Sequence, residues 1–559
     1  MDPAQEIELS ALARQKPMND VIDIGDSPVQ LFYEGATVFV TGGSGFIGKQ
    51  LIEKLFRSCA IEKLYLLIRQ KKSMTIQERL NQMLLNPLFY EGATVFVTGG
   101  SGFIGKQLIE KLFRSCAIEK LYLLIRPKKS MTIQERLNQM LQNPVYDLLR
   151  TKKPEFADKI IPVEGNINEI RLGLSEKDWS MLTDEVNIIF HVAATIRFDE
   201  KLRKATLTNI RSSREALELA RSCKNLKNYI HISTAFSFAT QDRIGKEIFE
   251  QFYPCPIPPD TMISLAENVD ENKLDNITNN LIQGWPNTYT FTKCIAEELV
   301  RTKSGDLPVC IVRPPIVLPA YYEPAPGWLD EHTIVGPSGI YLGGGLGVLR
   351  LFCADVNSDL SIAPVDYVNN TIIAAAWDSS DRRKNGETEI PIYTIAKNLR
   401  YGFIQETLYK EKNRLSTPKT VWRSGMLVVK SRLLYDILSW FLLYIPAYIL
   451  DFACFVSGKK PQGISSFVDL YGKFNKLSVV YEYFTRNAFT LREDNVKTMM
   501  SRMNDVDRAI YNCNLSDVDL EDYILVWGIG LRKYIVKDGL TGTKTDQHSV
   551  IKNVATPTP

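Results

Sequence analysis

Short apolar runs alternate with amphipathic stretches through the middle of the chain. We predict buried strands at the apolar runs, which are 93–98, 120–125, 159–163, 186–192, 227–233 and 308–312. The stretches between them include segments with apolar residues at helical spacing, such as 132–141, 201–223 and 287–303. Strands joined by connections of helical length form parallel sheets with right-handed crossovers. The pattern therefore predicts an α/β fold with a doubly wound parallel sheet, followed by a smaller, mainly helical C-terminal domain.

The first part of this pattern occurs twice. Residues 31–87 recur at 88–144 with two differences, Gln70 against Pro127 and Leu85 against Gln142. Solenoid repeats diverge and usually need three or more copies, so a recent duplication or an error in assembling the gene explains the pair better. Because only the second copy runs on into the later strands, we assign function to it and expect the first copy to lie outside the working sheet.

A glycine-rich turn follows the first strand of the second copy. Gly99, Gly102 and Gly105 have GxxGxxG spacing and precede the amphipathic stretch 106–116. This spacing permits a tight turn and close approach of a pyrophosphate to a helix N-terminus, where free amides favour anions. The turn therefore predicts a Rossmann-type dinucleotide site, and a plain strand-to-helix turn is the alternative.

The residues after the second strand indicate which dinucleotide is bound. An NAD-binding fold usually has an acidic residue here for the ribose hydroxyls. This chain has Arg126, followed by Lys128 and Lys129. Cations at this place suit a 2′-phosphate, so the sequence favours NADP(H) over NAD(H), unless the cations only solvate a loop.

A YxxxK pair begins the helix predicted at 287–303. Tyr289 and Lys293 share one face of that helix, and a nearby ammonium and the positive nicotinamide ring both stabilise a phenolate. The preceding strand ends in Ser233 and Thr234, whose hydroxyls could hold a substrate carbonyl oxygen beside the tyrosine. We therefore predict a proton-transfer site made of these four residues.

The composition narrows the function classes. Lys and Arg number 67 against 64 Asp and Glu, and this net charge of +3 does not indicate a nucleic-acid binder. Nine cysteines are spread singly and only four histidines occur, so neither a metal site nor a disulfide scaffold is expected. His191 and His231, in or beside predicted strands, are interpreted as buried structural residues.

Several motifs resemble a known family. TGGSGFIG, STA and YTFTK resemble the extended short-chain dehydrogenase/reductase group. The segments 191–205, 286–300, 312–317, 323–331 and 364–370 are more specific and resemble alcohol-forming fatty acyl-CoA reductases of the insect type. The resemblance extends from about residue 25 to 540 and includes the C-terminal segment 440–451.

The resemblance implies an activity and site residues. Enzymes of this family use NADPH to reduce a long-chain fatty acyl-CoA to the aldehyde, with loss of CoA, and then to the primary alcohol. Carried over to this chain, Tyr289 is the proton donor, Lys293 tunes it, and Ser233 or Thr234 polarises the carbonyl. The implied cofactor-binding residues are Gly99, Gly102, Phe103, Ile104, Gly105, Arg126, Asn166, Ala193, Tyr289 and Lys293.

Two positions depart from the family pattern. Asn166 stands where an acidic residue often follows the third strand, which changes the expected adenine contact. Pro314-Pro315 replaces a more usual Pro-Ser, which removes a hydroxyl near the nicotinamide.

An apolar segment at 433–456 suggests contact with lipid. Its uncharged run, 437–450, is shorter than the roughly 20 residues needed to span a bilayer. A buried helix and a kinked interfacial or re-entrant hairpin are both compatible with the residues, and the family resemblance favours membrane association. We therefore expect a partner in membrane lipid, a cytosolic reductase domain, and the endoplasmic reticulum or peroxisome as the location.

These observations divide the chain into five predicted parts. They are a polar leader at 1–30, the first copy at 31–87, an NADP-binding reductase domain at 88–395, a C-terminal domain at 396–545, and a tail at 546–559.

Two other functions stay open. One is a different oxidoreductase of the same fold acting on a sterol or another hydroxy or oxo group, and the other is a catalytically silent protein disabled by the duplication. Pro- and Gly-rich segments at 254–258, 324–327 and 336–347 are predicted to be loops over the carboxyl edge of the sheet.

Overall fold

A computed structural model describes residues 2–19, 37–40, 63–66, 89–128, 130–331, 334, 336–421, 424–458 and 466–540. In these residues the strands are β1 (Thr37–Val40), β2 (Lys63–Leu66), β3 (Thr94–Thr98), β4 (Lys120–Ile125), β5 (Ile160–Glu164), β6 (Ile188–His191), β7 (Asn228–Ile232), β8 (Glu247–Ile248), β9 (Val309–Arg313), β10 (Ile316–Leu318), β11 (Leu351–Cys353), β12 (Asp359–Pro364), β13 (Ile392–Thr394), β14 (Lys397–Arg400), β15 (Leu427–Val429) and β16 (Thr490–Leu491).

The α-helices of the same residues are α1 (Pro3–Asn19), α2 (Phe103–Ser115), α3 (Ile133–Leu141), α4 (Asp147–Lys152), α5 (Glu176–Glu185), α6 (Leu202–Thr206), α7 (Ser212–Ser222), α8 (Pro259–Asn268), α9 (Glu271–Leu281), α10 (Thr288–Lys303), α11 (Pro337–Gly345), α12 (Val365–Lys384), α13 (Tyr401–Lys410), α14 (Lys412–Leu415), α15 (Arg432–Ser439), α16 (Ile445–Ser457), α17 (Phe467–Arg486), α18 (Asp494–Arg502), α19 (Asp505–Ile510) and α20 (Leu520–Gly530). π-Helical turns at Leu207–Arg211 and Trp440–Tyr444 join α6 to α7 and α15 to α16, and a third, Leu531–Val536, follows α20.

A seven-stranded parallel sheet forms the centre of the fold. Its strand order is β13-β9-β7-β6-β3-β4-β5, with every neighbouring pair parallel. The order reverses between β3 and β6, which is where doubly wound sheets bind ligands at the carboxyl ends of their strands. The predicted α/β fold is confirmed, and each of the six predicted strands is observed within two residues. The seventh strand, β13, was not predicted.

Helices cover both faces of this sheet. Side chains alternate along each strand, so Val95 and Val97 pack with α2 and α12 on one face, while Phe96 packs with α7 and α10 on the other. A parallel sheet buried on both faces needs strands that are apolar throughout, which is why the short apolar runs were recognisable in the sequence.

The two copies of the duplicated unit take different places. In the first copy, β1 and β2 pair with each other in a separate two-stranded parallel sheet, with Thr37 opposite Lys63. In the second copy, β3 and β4 pair in the same register, with Thr94 opposite Lys120, and lie inside the seven-stranded sheet. Identical local sequence therefore gives the same strand pairing twice, and only the second pair is joined by β5 and β6.

The segment 336–347 corrects one expectation from the sequence. It was predicted to be a loop, but Pro337–Gly345 form the helix α11. Pro337 begins the helix where a missing N–H costs nothing, and Gly343 and Gly344 lie close to Leu349 and Met426, where larger side chains would change the packing. Tertiary packing has overridden the low helix propensity of three consecutive glycines.

One helix of the described residues is long and apolar enough to cross a membrane by length and composition. It runs for 26 residues, Arg432–Ser457, through α15, the π turn and α16. One strip of it, Tyr435, Leu443 and Ala447, packs against the body of the protein. The other side presents large apolar side chains to the exterior, so this segment is not the buried helix that the sequence left possible.

Candidate active site

The glycine turn between β3 and α2 lies against the end of β6. Gly99 has a positive φ of 74°, and a Cβ there would stand 2.6 Å from the backbone nitrogen of Ala193. A Cβ on Gly105 would stand 2.3 Å from the carbonyl oxygen of Gly99. Gly102 precedes α2, whose first turn begins without a side-chain cap. Gly99 and Gly105 are therefore positions that only glycine permits, and the turn, with the uncapped first turn of α2 behind it, fits a dinucleotide pyrophosphate.

Two guanidinium groups lie at the carboxyl end of β4. Arg126 is exposed, and its carbonyl oxygen accepts a hydrogen bond from the Arg136 side chain. Burial and the charge of Arg126 lower the pKa of Arg136. A phosphate placed between two such cations would relieve their repulsion, so this position fits a 2′-phosphate. Lys128 is also exposed, and Lys129 lies outside the described residues.

Asn166 follows β5 and borders the same space. Its side-chain amide donates to Glu169 at 2.9 Å, and its side-chain oxygen accepts from the backbone of Asn168 at 3.2 Å. The amide is thus held by its own loop. Its second N–H and the second lone pair of its oxygen are left to contact an adenine.

The segment 323–331, whose sequence carries part of the family resemblance, packs against α2, the helix that follows the glycine turn. The Trp328 ring packs on Phe103 with centroids 5.2 Å apart, and Asp330 pairs with Lys106 at 2.8 Å. Glu323 accepts hydrogen bonds from Lys111 at 2.7 Å and 2.8 Å. These ion pairs are buried, so they fix the orientation of α2 and of its first turn.

Tyr289 and Lys293 begin α10 as the sequence predicted. The Asn287 side chain caps the helix by accepting from the backbone N–H of Thr290 at 2.9 Å. Lys293 is 3% exposed and donates to the carbonyl oxygen of Ile232 at 2.7 Å, at the end of β7. This bond anchors α10 to the strand that precedes Ser233 and Thr234.

The two side chains have shifted acidities. Burial lowers the pKa of Lys293 to about 8, although the nearby Glu297 carboxylate opposes the shift. Burial raises the pKa of Tyr289 to about 12, opposed by a hydrogen bond with Thr234. The stabilisation of the phenolate by the lysine and the nicotinamide ring together, which the sequence led us to expect, stays a prediction. In this chain burial dominates, so Tyr289 carries its proton at neutral pH, as a proton donor must.

The hydroxyls of Ser233 and Thr234 point to different partners. Ser233 donates to the buried carboxylate of Glu297 at 2.5 Å. Thr234 is hydrogen-bonded to Tyr289 and lies 3.4 Å from the carbonyl oxygen of Pro314. Of the two hydroxyls that the sequence could not separate, Thr234 is the one beside the phenol.

Two residues of the site were not found from the sequence. Glu297 lies one turn beyond Lys293 and accepts from Ser233, Ser237 and Arg313. Asn209, in the π turn after α6, donates to Thr292 of α10 at 3.0 Å and bonds the backbone of Thr195. The i, i+4, i+8 spacing of Tyr289, Lys293 and Glu297 was the one local signal that could have pointed to Glu297.

One cavity of about 1230 Å³ collects the predicted residues. Its lining includes Gly99, Gly102, Phe103, Ile104, Gly105, Arg126, Asn166, Ala193, Ser233, Thr234 and Tyr289. Lys293 does not line it and lies beneath Tyr289, buried against β7. His191 and His231 stack in the sheet below, with ring centroids 5.9 Å apart, and both are buried.

Aromatic side chains close the cavity around the phenol. The Phe198 ring stacks on Tyr289 with centroids 5.8 Å apart, and it contacts Tyr481 and Phe484 of α17 at 5.4 Å each. The C-terminal helix α17 therefore forms one wall of the cavity beside Tyr289.

Beyond this aromatic wall the cavity continues along α11 into the C-terminal region. A Cβ on Gly336, just before α11, would lie 3.7 Å from the Tyr481 hydroxyl. The nine residues of α11 then extend for about 13 Å. The lining of this part is largely apolar and includes Ile340, Leu346, Leu408, Met426, Trp527 and Leu531. We call this part the apolar chamber.

Family models match most of the chain. Residues 40–93 and 97–372 match a model described as "Male sterility protein", so both copies of the duplicated unit contribute to the match. Residues 442–538 match a second model with the same description, which covers α16 to α20.

Individual proteins are similar in sequence to this chain, and a solved structure is similar in fold. Fatty acyl-CoA reductase wat of Drosophila melanogaster is 36% identical over 81% of this chain and 86% of its own length. Fatty acyl-CoA reductase 1 of Mus musculus is 34% identical over 82% and 88%. The crystal structure of the terminal R domain of the myxalamid biosynthetic pathway has a similar fold, with a TM-score of 0.53 at 20% identity, covering 80% of this chain and 93% of that one. The chain belongs to the fatty acyl-CoA reductases, oxidoreductases of the extended short-chain dehydrogenase/reductase family that use a nicotinamide cofactor.

Proposed function

We propose that the chain reduces long-chain fatty acyl-CoA to the primary alcohol with NADPH, through the aldehyde and with release of CoA. One observation carries the proposal. The glycine turn, the paired Tyr289 and Thr234, and the apolar chamber open into a single cavity. A dinucleotide, a carbonyl group and a long acyl chain can therefore meet at the phenol.

The chain's own residues divide the work of binding. Gly99, Gly102 and Gly105 would hold the pyrophosphate, and Arg126 with Arg136 would hold the 2′-phosphate. Tyr289 and Lys293 would orient the nicotinamide half against the carboxyl ends of β6 and β7. When bound, the reduced nicotinamide supplies a hydride to the substrate carbonyl carbon.

Thr234 and Tyr289 act on the carbonyl oxygen in both reductions. Thr234 donates a hydrogen bond to this oxygen, and Tyr289 delivers its proton as negative charge develops there. The buried Lys293 ammonium stabilises the phenolate that is left behind. In the first reduction the resulting hemithioacetal breaks its C–S bond, so that the aldehyde forms and the CoA sulfur leaves with a proton. In the second reduction the same groups convert the aldehyde to the alcohol.

The apolar chamber supports a long acyl chain as the substrate. Its wall beyond Phe198 is apolar and extends about 13 Å along α11, which is the length of about ten methylenes at about 1.3 Å each. Each methylene removed from water contributes about 0.8 kcal/mol, so long chains would be bound more tightly than short ones.

The exposed face of Arg432–Ser457 supports membrane association. We propose that this face lies against lipid and that the reductase domain stays in the cytosol, on the endoplasmic reticulum or the peroxisome. Substrates with long acyl chains partition into such membranes, which would bring them close to the C-terminal region of the enzyme.

The test measures products directly. Membranes containing the full chain, the chain without residues 31–87, or Tyr289→Phe receive hexadecanoyl-CoA with NADPH or NADH, and mass spectrometry reads aldehyde and alcohol. We expect hexadecanol with NADPH from the first two and a loss of about 10²-fold or more in Tyr289→Phe, because the proton donor is gone.

Three outcomes would contradict parts of the proposal. Alcohol formation with NADH alone would contradict the assigned cofactor. Ketone reduction without thioester reduction would favour the rival oxidoreductase of the same fold. An active Tyr289→Phe would remove the tyrosine from the mechanism.

A further inference from the structure

A fully buried carboxylate lies beneath the catalytic residues. The side chain of Glu297 has 0% exposure and that of its partner Arg313 has 1%. Arg313 binds it with two nitrogens, at 3.0 Å and 2.6 Å, and Ser233 and Ser237 donate to the same carboxylate at 2.5 Å and 3.0 Å. A buried carboxylate with this many donors holds their positions tightly.

The donors come from every element that carries the site. Glu297 itself belongs to α10, two turns beyond Tyr289, while Ser233 directly follows β7 and Arg313 ends β9. The residue after Arg313 is Pro314, whose carbonyl oxygen accepts from the backbone of Ala235 at 2.8 Å and from the Thr234 hydroxyl at 3.4 Å. One carboxylate therefore joins the helix of the proton donor to both strand ends that hold Thr234.

We propose that Glu297 is the positioning residue of this active site, and that Ser233 serves as its ligand and does not contact the substrate carbonyl. Glu297 holds Ser233 so that the next residue, Thr234, faces the phenol of Tyr289. It also places a negative charge one helical turn from Lys293. This inference rests on the proposed function, because it concerns how the same reduction is arranged.

The electrostatic part can be tested because few charges face Lys293. On α10 the nearby ionisable groups are Tyr289 and Glu297. From the sheet, His231 of β7 and His191 of β6 face it, and burial together with the lysine charge lowers the pKa of both imidazoles, so they stay neutral. Arg313 of β9 is paired with Glu297. Glu297 is therefore the anion that supports the Lys293 ammonium.

The pH dependence of turnover reports this support. The ammonium form of Lys293 stabilises the phenolate, so kcat should fall as pH rises through the lysine pKa, near 8. Glu297→Gln removes the negative charge but keeps the shape and one acceptor. The pKa of Lys293 should then drop further, and the alkaline limb of kcat should move by about one pH unit to lower pH. At the optimum, kcat should fall about 10-fold with little change in the KM for NADPH, because Thr234 and the phenol are misplaced while the glycine turn and Arg126, which would hold the phosphate groups, are not.

Two controls separate positioning from folding. Glu298→Gln changes the next carboxylate, which pairs with Arg301 at the surface, and should leave the limb where it is. Glu297→Gln with Arg313→Gln removes both buried charges. It should melt at a higher temperature than Glu297→Gln alone, because the single variant leaves the buried guanidinium without its carboxylate, held only by the carbonyl oxygens of Phe249 and Gln251. The double variant should keep the shifted limb.

The limb is measured with hexadecanal as well as hexadecanoyl-CoA, so that a failed thioester step does not hide it. An active Glu297→Gln with an unshifted limb, and an equal loss at every pH, would mean that Glu297 is only structural and would overturn the inference. A large loss in Ser233→Ala while Thr234→Ala stays close to wild type would place Ser233, and not Thr234, on the substrate and would also overturn it. A wild-type chain that reduces neither substrate would instead contradict the proposed function.

Discussion

Arg126 is the residue that we propose selects NADPH over NADH. It lies with Arg136 at the end of β4, where an acidic residue would favour NAD(H). Arg126→Ala should weaken NADPH binding by about 10-fold or more, since a charge-assisted hydrogen bond contributes about 1.5–3 kcal/mol. The affinity for NADH should change little, and fluorescence titration with both dinucleotides measures the difference.

The duplication supplies a matched control for this variant. Arg69 occupies the equivalent position of the first copy. Arg69→Ala should leave both affinities unchanged. Equal weakening of NADH and NADPH by Arg126→Ala would show that the arginine does not read the 2′-phosphate.

The sequence identified those site residues whose roles depend on local spacing. Tyr289 and Lys293 lie four residues apart on one helix, and the glycines follow directly on a strand, so their geometry is set within a few residues. The role of Glu297 depends on Ser233, 64 residues away, and that of Asn209 on Thr292, 83 residues away. Such contacts exist only after the strands have assembled, which is why neither residue was predicted.

Substitutions in the glycine turn can show which copy of the duplicated unit binds the cofactor. Gly102→Asp places a negative charge at the start of α2, where it suits the helix but repels a pyrophosphate. We expect NADPH binding to fall below detection while the melting temperature changes little. Gly45→Asp makes the same change in the first copy and should bind NADPH normally. The reverse result, measured by titration of both variants, would mean that the first copy forms the working sheet.

Helix α11 determines the shape of the apolar chamber. Gly344 lines it, and a Cβ there would meet Met426 at an ordinary 3.6 Å. Gly344→Leu should therefore fill the distal part of the chamber. We expect kcat/KM for hexadecanoyl-CoA to fall about 10-fold and that for hexanoyl-CoA to change by less than about twofold, because a six-carbon chain spans only about half of the chamber and does not reach the added bulk.

A control for this substitution lies on the same helix. Gly339 does not line the cavity, and a Cβ there would lie 3.6 Å from its nearest neighbour, the carbonyl oxygen of Ile334. Gly339→Leu should leave the preference for chain length unchanged. If both variants lose activity on both substrates alike, the effect comes from helix stability and not from the chamber.

Strands and helices were predictable from the sequence where the pattern of their buried side chains is regular. The strands of the central sheet are apolar throughout and were located within two residues. Helix α11 is rich in glycine because it packs closely and borders a cavity, so its composition resembles that of a loop. β13 has three residues and gave too short an apolar run to recognise.

At the scale of the whole molecule, both parts of the chain line the cavity beside Tyr289. Phe198 and Tyr289 come from the reductase part, while Tyr481 and Phe484 come from α17. The sequence predicted a C-terminal domain but not that it would close the cavity. That contact depends on how the helices after β14 fold back over the carboxyl edge of the sheet, which no local pattern specifies.

The long apolar helix also acts at the scale of the whole molecule, because its two sides have different surroundings. Tyr435, Leu443 and Ala447 are committed to the protein body, whereas Phe441, Phe452 and Phe455 are 64%, 68% and 82% exposed. A helix of 26 residues could cross a bilayer core of about 30 Å, but crossing would require detaching the packed strip. We therefore expect the helix to lie in the membrane interface with its phenylalanines in the lipid.

Changing the exposed face should release the enzyme from membranes without disabling it. The triple variant Phe441→Asp, Phe452→Asp and Phe455→Asp loses about 1.5–3 kcal/mol of lipid burial per side chain, so it should float far less with phosphatidylcholine vesicles. Its turnover of decanoyl-CoA, a more soluble substrate, should stay within about twofold of wild type because α17 and the cavity are untouched. The matched control changes exposed isoleucines of the reductase part, Ile170→Asp, Ile244→Asp and Ile277→Asp, and should float as wild type does. If the phenylalanine variant still floats with the vesicles after alkaline carbonate extraction, the helix spans the bilayer and its packed strip is detached from the body.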